Sequence, residues 1–524
     1  MTLTDASHFS PQYADWKAPR SDRAHLIWPD PDAIVRAIAE NAHDFQHSTT
    51  SIGGLGLAAF RRLTREFVGH ATDTPLILTG HQSELHHAGV GAKNIAIDAI
   101  ARRLPGAVAM HLAVDTDAPK HLFLRLGDEH LPITDDPDLS RAKWTGLLRA
   151  PTPLHLSKIE NAATKWSDEQ TRLHGFAPVL DVVLAEMRRF ALDGHEGVEL
   201  PALLANAMHQ LDWSMGLDYQ LVMLSPVLLG TPWLGFVHHL LSDATNFSLH
   251  YNGALLAYRA ANDIDTDTRP MPNLAIVGNS IEMPFWLDSL STGRRERLRV
   301  VETPTGSKLT SPHDGDSLEL IRGTPLEDAS RQLQQFCRQH QLRIAPRALT
   351  LTCFMRLGIA DLFVHGIGGG RYDQVLDRIF ATYFKLAPPK FAVVTATLFH
   401  PAAAHRTRAC VPCAVMEGHR LRHSVLGDDK FKLLYELEQA PRRSARRSAL
   451  FQQMHRRLEE RAATDPRISR WQQRLVKARA DQDQDNFFFD REIIYAQQSR
   501  DRLEHLIQDI RGHVLHRPNG SVTA

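Results

Sequence analysis

The stretch from Pro75 to Asp117 constrains the fold more than any other part of this chain. Leu76-Ile77-Leu78 is a short apolar run, and its pattern predicts a buried strand over residues 75–78. A turn is expected at Thr79-Gly80. It delivers three histidines, His81, His86 and His87, and then two glycines, Gly89 and Gly91. Lys93 and Asn94 open an amphipathic helix expected over 93–103. Leu104-Pro105-Gly106 ends it, and residues 107–114 (AVAMHLAV) read as a second strand running into Asp115-Thr116-Asp117. Strand, helix and strand at this spacing make a parallel βαβ unit. Ligands of such sheets sit beyond the carboxyl ends of the strands. His81, Asp115 and Asp117 are therefore expected at one sheet edge, beside a helix N-terminus whose unpaired N–H groups favour anions.

A similar unit recurs late in the chain. Residues 361–365 (DLFVH) predict a strand, followed by Gly366-Ile367-Gly368-Gly369-Gly370, then Arg371-Tyr372-Asp373, a helix from Gln374 and a strand from Phe391. Glycines at a strand-to-helix turn let backbone N–H groups approach an anion closely. The run matches neither the P-loop nor the dinucleotide fingerprint. The expected fold class is α/β, with a parallel-sheet core built from residues 1–149 and 326–424. A mainly helical insertion (150–260) and a small β-rich insertion (261–325) separate the two halves. Residues 425–515 are charged and glycine-poor, which predicts a helical hairpin or coiled-coil arm. Residues 516–524 read as a disordered tail.

Composition narrows the function. Lys plus Arg equals Asp plus Glu at 60 each, so bulk charge does not argue for nucleic acid or an anionic membrane. No apolar run approaches the ~20 residues of a membrane span. The N-terminus lacks a secretion signal. Four cysteines predict no disulfide framework, and a reducing cytoplasm is the expected location. There are 29 histidines, so a lone histidine carries less weight here than usual.

The first turn reads as a phosphate- or carboxylate-binding site lined by Thr79, Gly80, Gln82, His87, Lys93 and Asn94. His81 and His86 are the candidate acid–base or charge-stabilising groups. Asp115 and Asp117, alternating along an extended strand end, would share one side and could bind a cation or an amine or act as a base. His365, Gly368, Gly369, Gly370, Arg371 and Tyr372 form the second candidate binding turn. The histidines with Asp115 or Asp117 follow no standard zinc spacing, so no metal is expected. Cys410-Val-Pro-Cys413 is a lone C-x-x-C away from any expected thioredoxin-like helix, and two ordinary thiols are expected. Arg442, Arg443, Arg446 and Arg447 read as a solvated helix face, with no nucleic-acid partner expected. Phe487-Phe488-Phe489 reads as a packing contact.

The segments TGHQSELHHAGVGAKNIAIDAIARRL and AVAMHLAVDTDAPKH, with HGIGGGRYD and the charged C-terminal helices, resemble the bacillithiol-biosynthesis cysteine-adding enzymes (BshC, cysteine ligases). The resemblance implies a Rossmann-like core of the kind seen in HUP and class I synthetase folds, and a homodimer through the helical arm. It also implies a ligase that joins cysteine to the amine of glucosaminyl malate. The residues it carries over are Gly80, His81, Gln82, Asp117 and Gly368 to Gly370. The expected function is a C–N bond-forming ligase on small-molecule substrates, with ATP or ADP as the candidate nucleotide. The alternatives are a nucleotidyl- or phosphoryl-transferase on the same core and a non-catalytic helical-arm protein.

Overall fold

The computed structural model describes residues 16–117, 122–127, 129–134, 155–193, 200–406 and 410–516. The expected tail lies outside them. The chain forms two compact units: residues 1–398 with 491–524, and residues 399–490.

In the larger unit, β1 (His25–Trp28) leads to helix α1 (Pro31–His47), which Asp30 caps by accepting the N–H groups of Asp32 and Ala33. Helix α2 (Leu57–Phe67) precedes β2 (Leu76–Gln82), α3 (Ala88–Arg103) and β3 (Val108–Val114). Helix α4 (Leu200–Ser214), β4 (Gln220–Met223), α5 (Thr231–Ser242) and α6 (Ala244–Ala261) follow. Then come β5 (Ser280–Ser289), β6 (Arg295–Thr303), β7 (Gly306–Thr310), β8 (Ser317–Ile321), α7 (Leu326–Gln339) and β9 (Leu342–Pro346). Helix α8 (Ala348–Gly358), β10 (Leu362–His365), α9 (Ile367–Ile379) and β11 (Phe391–Ala396) complete the sheet region. After the smaller unit, α10 (Arg500–Leu515) ends the described chain.

The central sheet has the order β1-β11-β10-β2-β3-β4. All pairings are parallel except that of the edge strand β1 with β11. From β2 the chain adds β3 and β4 on one side. It then returns to place β10 and β11 on the other, so the direction of winding reverses between β2 and β10. A second, antiparallel sheet has the order β8-β7-β6-β5-β9. Its inner face and α5 share one core in which Trp233 meets Phe285 and Phe354 edge to face and Phe236 packs at a tilt against Phe354.

Several boundaries differ from the sequence reading, each for a packing reason. Thr79 and Gly80 are not a turn: β2 runs on to Gln82 because β3 pairs with it along its whole length. Gly80 is needed there because a Cβ would stand 3.1 Å from the Leu112 carbonyl oxygen of the neighbouring strand. Helix α3 begins at Ala88 rather than Lys93, since His87 caps it by accepting the Gly89 N–H through Nδ1 at 3.0 Å. Helix α9 takes the glycine run as its first turn. Gly370 has no room for a Cβ against Val393 and Trp16, and Gly369 has none against the His365 ring. Gln220–Met223, inside the expected helical insertion, is the outer strand of the central sheet, and Leu342–Pro346 joins the β-rich insertion. The expected arm is shorter than 425–515. Residues 491–516 fold with the larger unit, where α10 packs on α3 through contacts such as Arg511 to Asp98 at 2.8 Å.

The described residues of the smaller unit include the α-helices Val411–Ser424, Asp428–Gln439, Ala445–Thr464 and Pro466–Phe488. Leu426, Leu433, Met454 and Leu458 form one of its small apolar clusters. Phe487 and Phe488 pack around the fully buried His400. Among the described residues no helix is long and apolar enough to cross a membrane.

One buried carboxylate ties the two central strands together. Asp361, just before β10, accepts Arg61 at 2.7 Å, Arg65 at 3.0 Å and the Leu76 N–H at 2.8 Å. Its own N–H donates to the Leu76 carbonyl at 2.9 Å. Removing one partner of such a group leaves the others charged and buried. Asp361→Ala is expected to destabilise the larger unit by about 3–5 kcal/mol. Urea unfolding followed by tryptophan fluorescence measures this; a loss below about 1 kcal/mol would show that the pairing is not needed.

Candidate active site

The carboxyl ends of β2, β3 and β10 meet at one edge of the central sheet, and the loop Ser83–His87 folds over it. His81, at the rim and partly exposed, hydrogen-bonds through Nδ1 with the Gln82 carbonyl at 3.1 Å and stands 3.6 Å from Glu84. His86 is buried, with its ring 5.2 Å from Tyr495 and 6.3 Å from His81; its Nε2 has no hydrogen-bond partner. Burial, reinforced by the neighbouring His81, holds the His86 imidazole well below the ordinary histidine range. It is therefore neutral at pH 7. The segment around Tyr495 locks this loop: the Tyr495 N–H donates to the His86 carbonyl at 3.1 Å, and the Tyr495 ring occupies the space a Cβ at Gly91 would need.

Beneath the loop runs a buried polar chain. His111 on β3 bonds through Nδ1 to Asn94 Oδ1 at 2.7 Å. Asn94 Nδ2 donates to Asp212 Oδ2 at 2.8 Å, and Tyr219 donates to the same oxygen at 2.6 Å. Tyr495 donates to Asp212 Oδ1. Because Asn94 presents its carbonyl oxygen, His111 Nδ1 carries the proton and Nε2 is an acceptor. Burial, then the nearby Lys93, depresses His111 well below its ordinary value. Burial also raises the Asp212 carboxyl, against the opposing tyrosine and asparagine hydrogen bonds. Gln82, Ser83, Glu84, His86, His111 and His209 are among the residues around a void of about 10 Å³, room for one water.

Lys93 is a buried cation at this site. It is 4 % exposed, and Nζ donates to the Gly80 carbonyl at 2.7 Å. Burial lowers its pKa to about 8, opposed by the Glu84 carboxylate.

The other expected residues are distributed differently. Thr79 is fully buried and ties β2 to β10 by donating to the Val364 carbonyl at 2.7 Å. Asp115 and Asp117 do not share a side, because residues 115–117 turn rather than extend. Asp115 is buried and accepts the Ser225 backbone N–H at 2.8 Å and the Ser225 hydroxyl; burial raises its carboxyl. Asp117 pairs with Arg295 at 2.8 Å. Arg295 and Arg343 also clamp the fully buried Asp288. His81, His86, His87, Asp115 and Asp117 thus do not converge on a point.

At the second turn, His365 bonds Asp373 at 2.8 Å, and Arg356 bridges Asp373 at 2.6 Å and Asp377 at 2.8 Å. Gly368 and Gly369 are exposed in the first turn of α9, Tyr372 is exposed, and Arg371 donates to the Trp16 carbonyl at 2.6 Å. The strand register sets the relation between the two turns. Val364 pairs with Thr79, and Thr79 with His111, so these share a sheet face; His365, one residue on, faces the other. The turns lie at the same edge with their helices on opposite faces of the sheet.

Asp314, Asp316 and His340 stand close enough for a cation. The imidazole meets the two carboxylates through opposite nitrogens, Nδ1 to Asp314 at 2.8 Å and Nε2 to Asp316 at 3.9 Å. The imidazole thereby clamps a hairpin turn to the end of α7.

Glu84, His111, Asp212, Tyr219 and Tyr495 were not singled out in the sequence. His111 alone carried a local signal, as a polar residue on the buried β3. No protein-family model matches the chain, and no curated protein matches it significantly.

The unfolded chain binds protons near pH 6.5 at His86 and His111, whereas the folded core resists them. Stability is therefore expected to fall as pH drops below about 6.5, by up to about 1.4 kcal/mol per pH unit for each histidine. Urea unfolding between pH 7 and 5, compared with the His111→Asn variant, checks this. An unchanged slope in the variant would remove His111 from the account.

Proposed function

We propose that this chain is an enzyme on a Rossmann-like core that joins an amino acid, cysteine or a related one, to a small amine, as the BshC-type cysteine-adding enzymes do. The observation that carries the reading is the reversal of winding between β2 and β10. Doubly wound sheets bind small substrates and nucleotides at such a point, and here Lys93, His81, His86 and the first turn of α9 gather at that edge.

The residues divide the work by charge. Lys93 holds a substrate carboxylate beside Gly80 as a fixed positive charge. His86, neutral with a free Nε2, accepts the proton that the attacking amine must lose. His81 orients the substrate at the rim. The N–H groups at Gly368 and Gly369 receive an anion at the N-terminus of α9. Asp117 acts through Arg295 as a positioning residue. Amide formation from a free carboxylate releases water and requires an activated carboxyl, so a nucleoside triphosphate is the expected co-substrate. The void under the loop admits only a water, so substrate binding requires the Ser83–His87 loop to move. A cytoplasmic homodimer associating through the helical unit belongs to the same reading; Phe431 and Tyr435, one turn apart and exposed, support such a face. The exposed glycines of α9 favour nucleotidyl transfer as the second reading.

The test is incubation of the full chain with ATP, cysteine and glucosaminyl malate, followed by mass spectrometry. The amide is the expected product. Lys93→Met is expected to lower kcat/KM by about 100-fold or more, in the range for removal of a fixed charge beside the reacting group. Wild-type activity should decline above pH 8 as Lys93 loses its proton. Nucleotide cleavage with no amide formed would favour nucleotidyl transfer instead.

A further inference from the structure

The smaller unit carries a feature that the ligase reading leaves unused. Cys410 and Cys413 are joined as a disulfide three residues apart, at the start of the 14-residue helix Val411–Ser424. The sequence reading expected two ordinary thiols away from any such helix. Instead, Cys410 is the N-cap residue, and its Sγ accepts the Cys413 backbone N–H at 3.2 Å. Pro412 has no N–H, so this donor is one of few left at the helix start. Both cysteines are exposed. The chain's other two are not comparable: burial pushes the Cys337 thiol up to about 12 and holds the buried Cys353 thiol well above its ordinary value.

We propose that Cys410 and Cys413 form a reversible dithiol–disulfide pair that exchanges with a low-molecular-weight thiol, with Cys410 as the reactive sulfur. A helix N-terminus and a C-x-x-C spacing both favour the thiolate. The N–H donor aimed at Cys410 rather than Cys413 assigns the roles. In the reductive direction, a thiolate attacks Cys410 Sγ, breaks the Cys410–Cys413 bond and releases Cys413 as thiolate. A second thiolate then attacks the small-molecule sulfur of the mixed disulfide and releases Cys410, whose charge the Cys413 N–H receives. Two small thiols give up two electrons and two protons to become one disulfide, and the protein pair takes them up. On this helix Glu417 contacts Arg474 of the helix packed against it at 2.6 Å, and Arg422 lies over Trp471.

The experiment uses the full folded chain. The reduced protein is alkylated with iodoacetamide across pH 5 to 9, and each site is read by mass spectrometry. Cys410 is expected to react about tenfold or more faster than Cys413 at pH 7, with its midpoint more than one unit below the ordinary thiol value. In glutathione buffers the wild type should interconvert between dithiol and disulfide without unfolding. Cys413→Ser should accumulate a glutathione adduct on Cys410, and Cys410→Ser should form its adduct at least tenfold more slowly. Equal alkylation rates with an ordinary pH dependence, or a disulfide that glutathione reduces only after denaturation, would overturn the proposal. The wild-type titration decides the matter even if a variant fails to fold.

Discussion

A single buried carboxylate sets the geometry on which the rest of this molecule depends. Asp361 neutralises Arg61 and Arg65, both from α2, and at the same time caps the first residue of β2 from the start of β10. Two arginines in an apolar interior are tolerable only with such a partner. Asn41 on α1 extends the node by bonding the Asp361 carbonyl and both backbone groups of Lys390, just ahead of β11. Two helices and three strand starts are thereby registered at the amino end of the sheet. Strand register then carries that order along to the carboxyl end, where β2 and β10 present the candidate site.

A buried polar chain centred on Asp212 holds the site. Asp212 collects donors from Asn94, Tyr219 and Tyr495, and Asn94 fixes the tautomer of His111. A low local dielectric strengthens each of these bonds and penalises any that is lost. The same burial brings Lys93 down toward the pH range in which proton transfer is useful and keeps His86 and His111 neutral. The loop residues His86 and His87 are pinned by a segment about 400 residues later, so the C-terminal stretch around Tyr495 is part of the site's construction.

Much of the α/β framework was legible because it rests on local pattern. The apolar runs 76–78, 107–114 and 391–398 can be buried on both faces only within a covered parallel sheet. The short β-like runs and charged turns of residues 261–325 marked the β-rich insertion, where the strands between Ser280 and Ile321 form. Other features were misread because their cause is distant. Thr79-Gly80 looks like a turn until Leu112 is placed beside it, and Gly368 to Gly370 look like a loop until Trp16, Val393 and His365 fill the space around the helix they begin. Asp115 and Asp117 appeared as neighbours on one face, yet Ser225 and Arg295 draw them apart.

By itself the sequence determined where buried strands and amphipathic helices must form, because hydrophobic periodicity acts over a few residues. It also marked His81, His86 and Lys93 as chemistry-bearing residues beside a strand end. Only the tertiary structure decided which polar groups share that end and in what protonation state. Desolvation and hydrogen bonding are properties of neighbours in space, and Asp212, Tyr219 and Tyr495 reach the site from positions far along the chain. For the same reason, only the folded chain shows that Cys410 caps a helix and meets an N–H donor while Cys353 is buried.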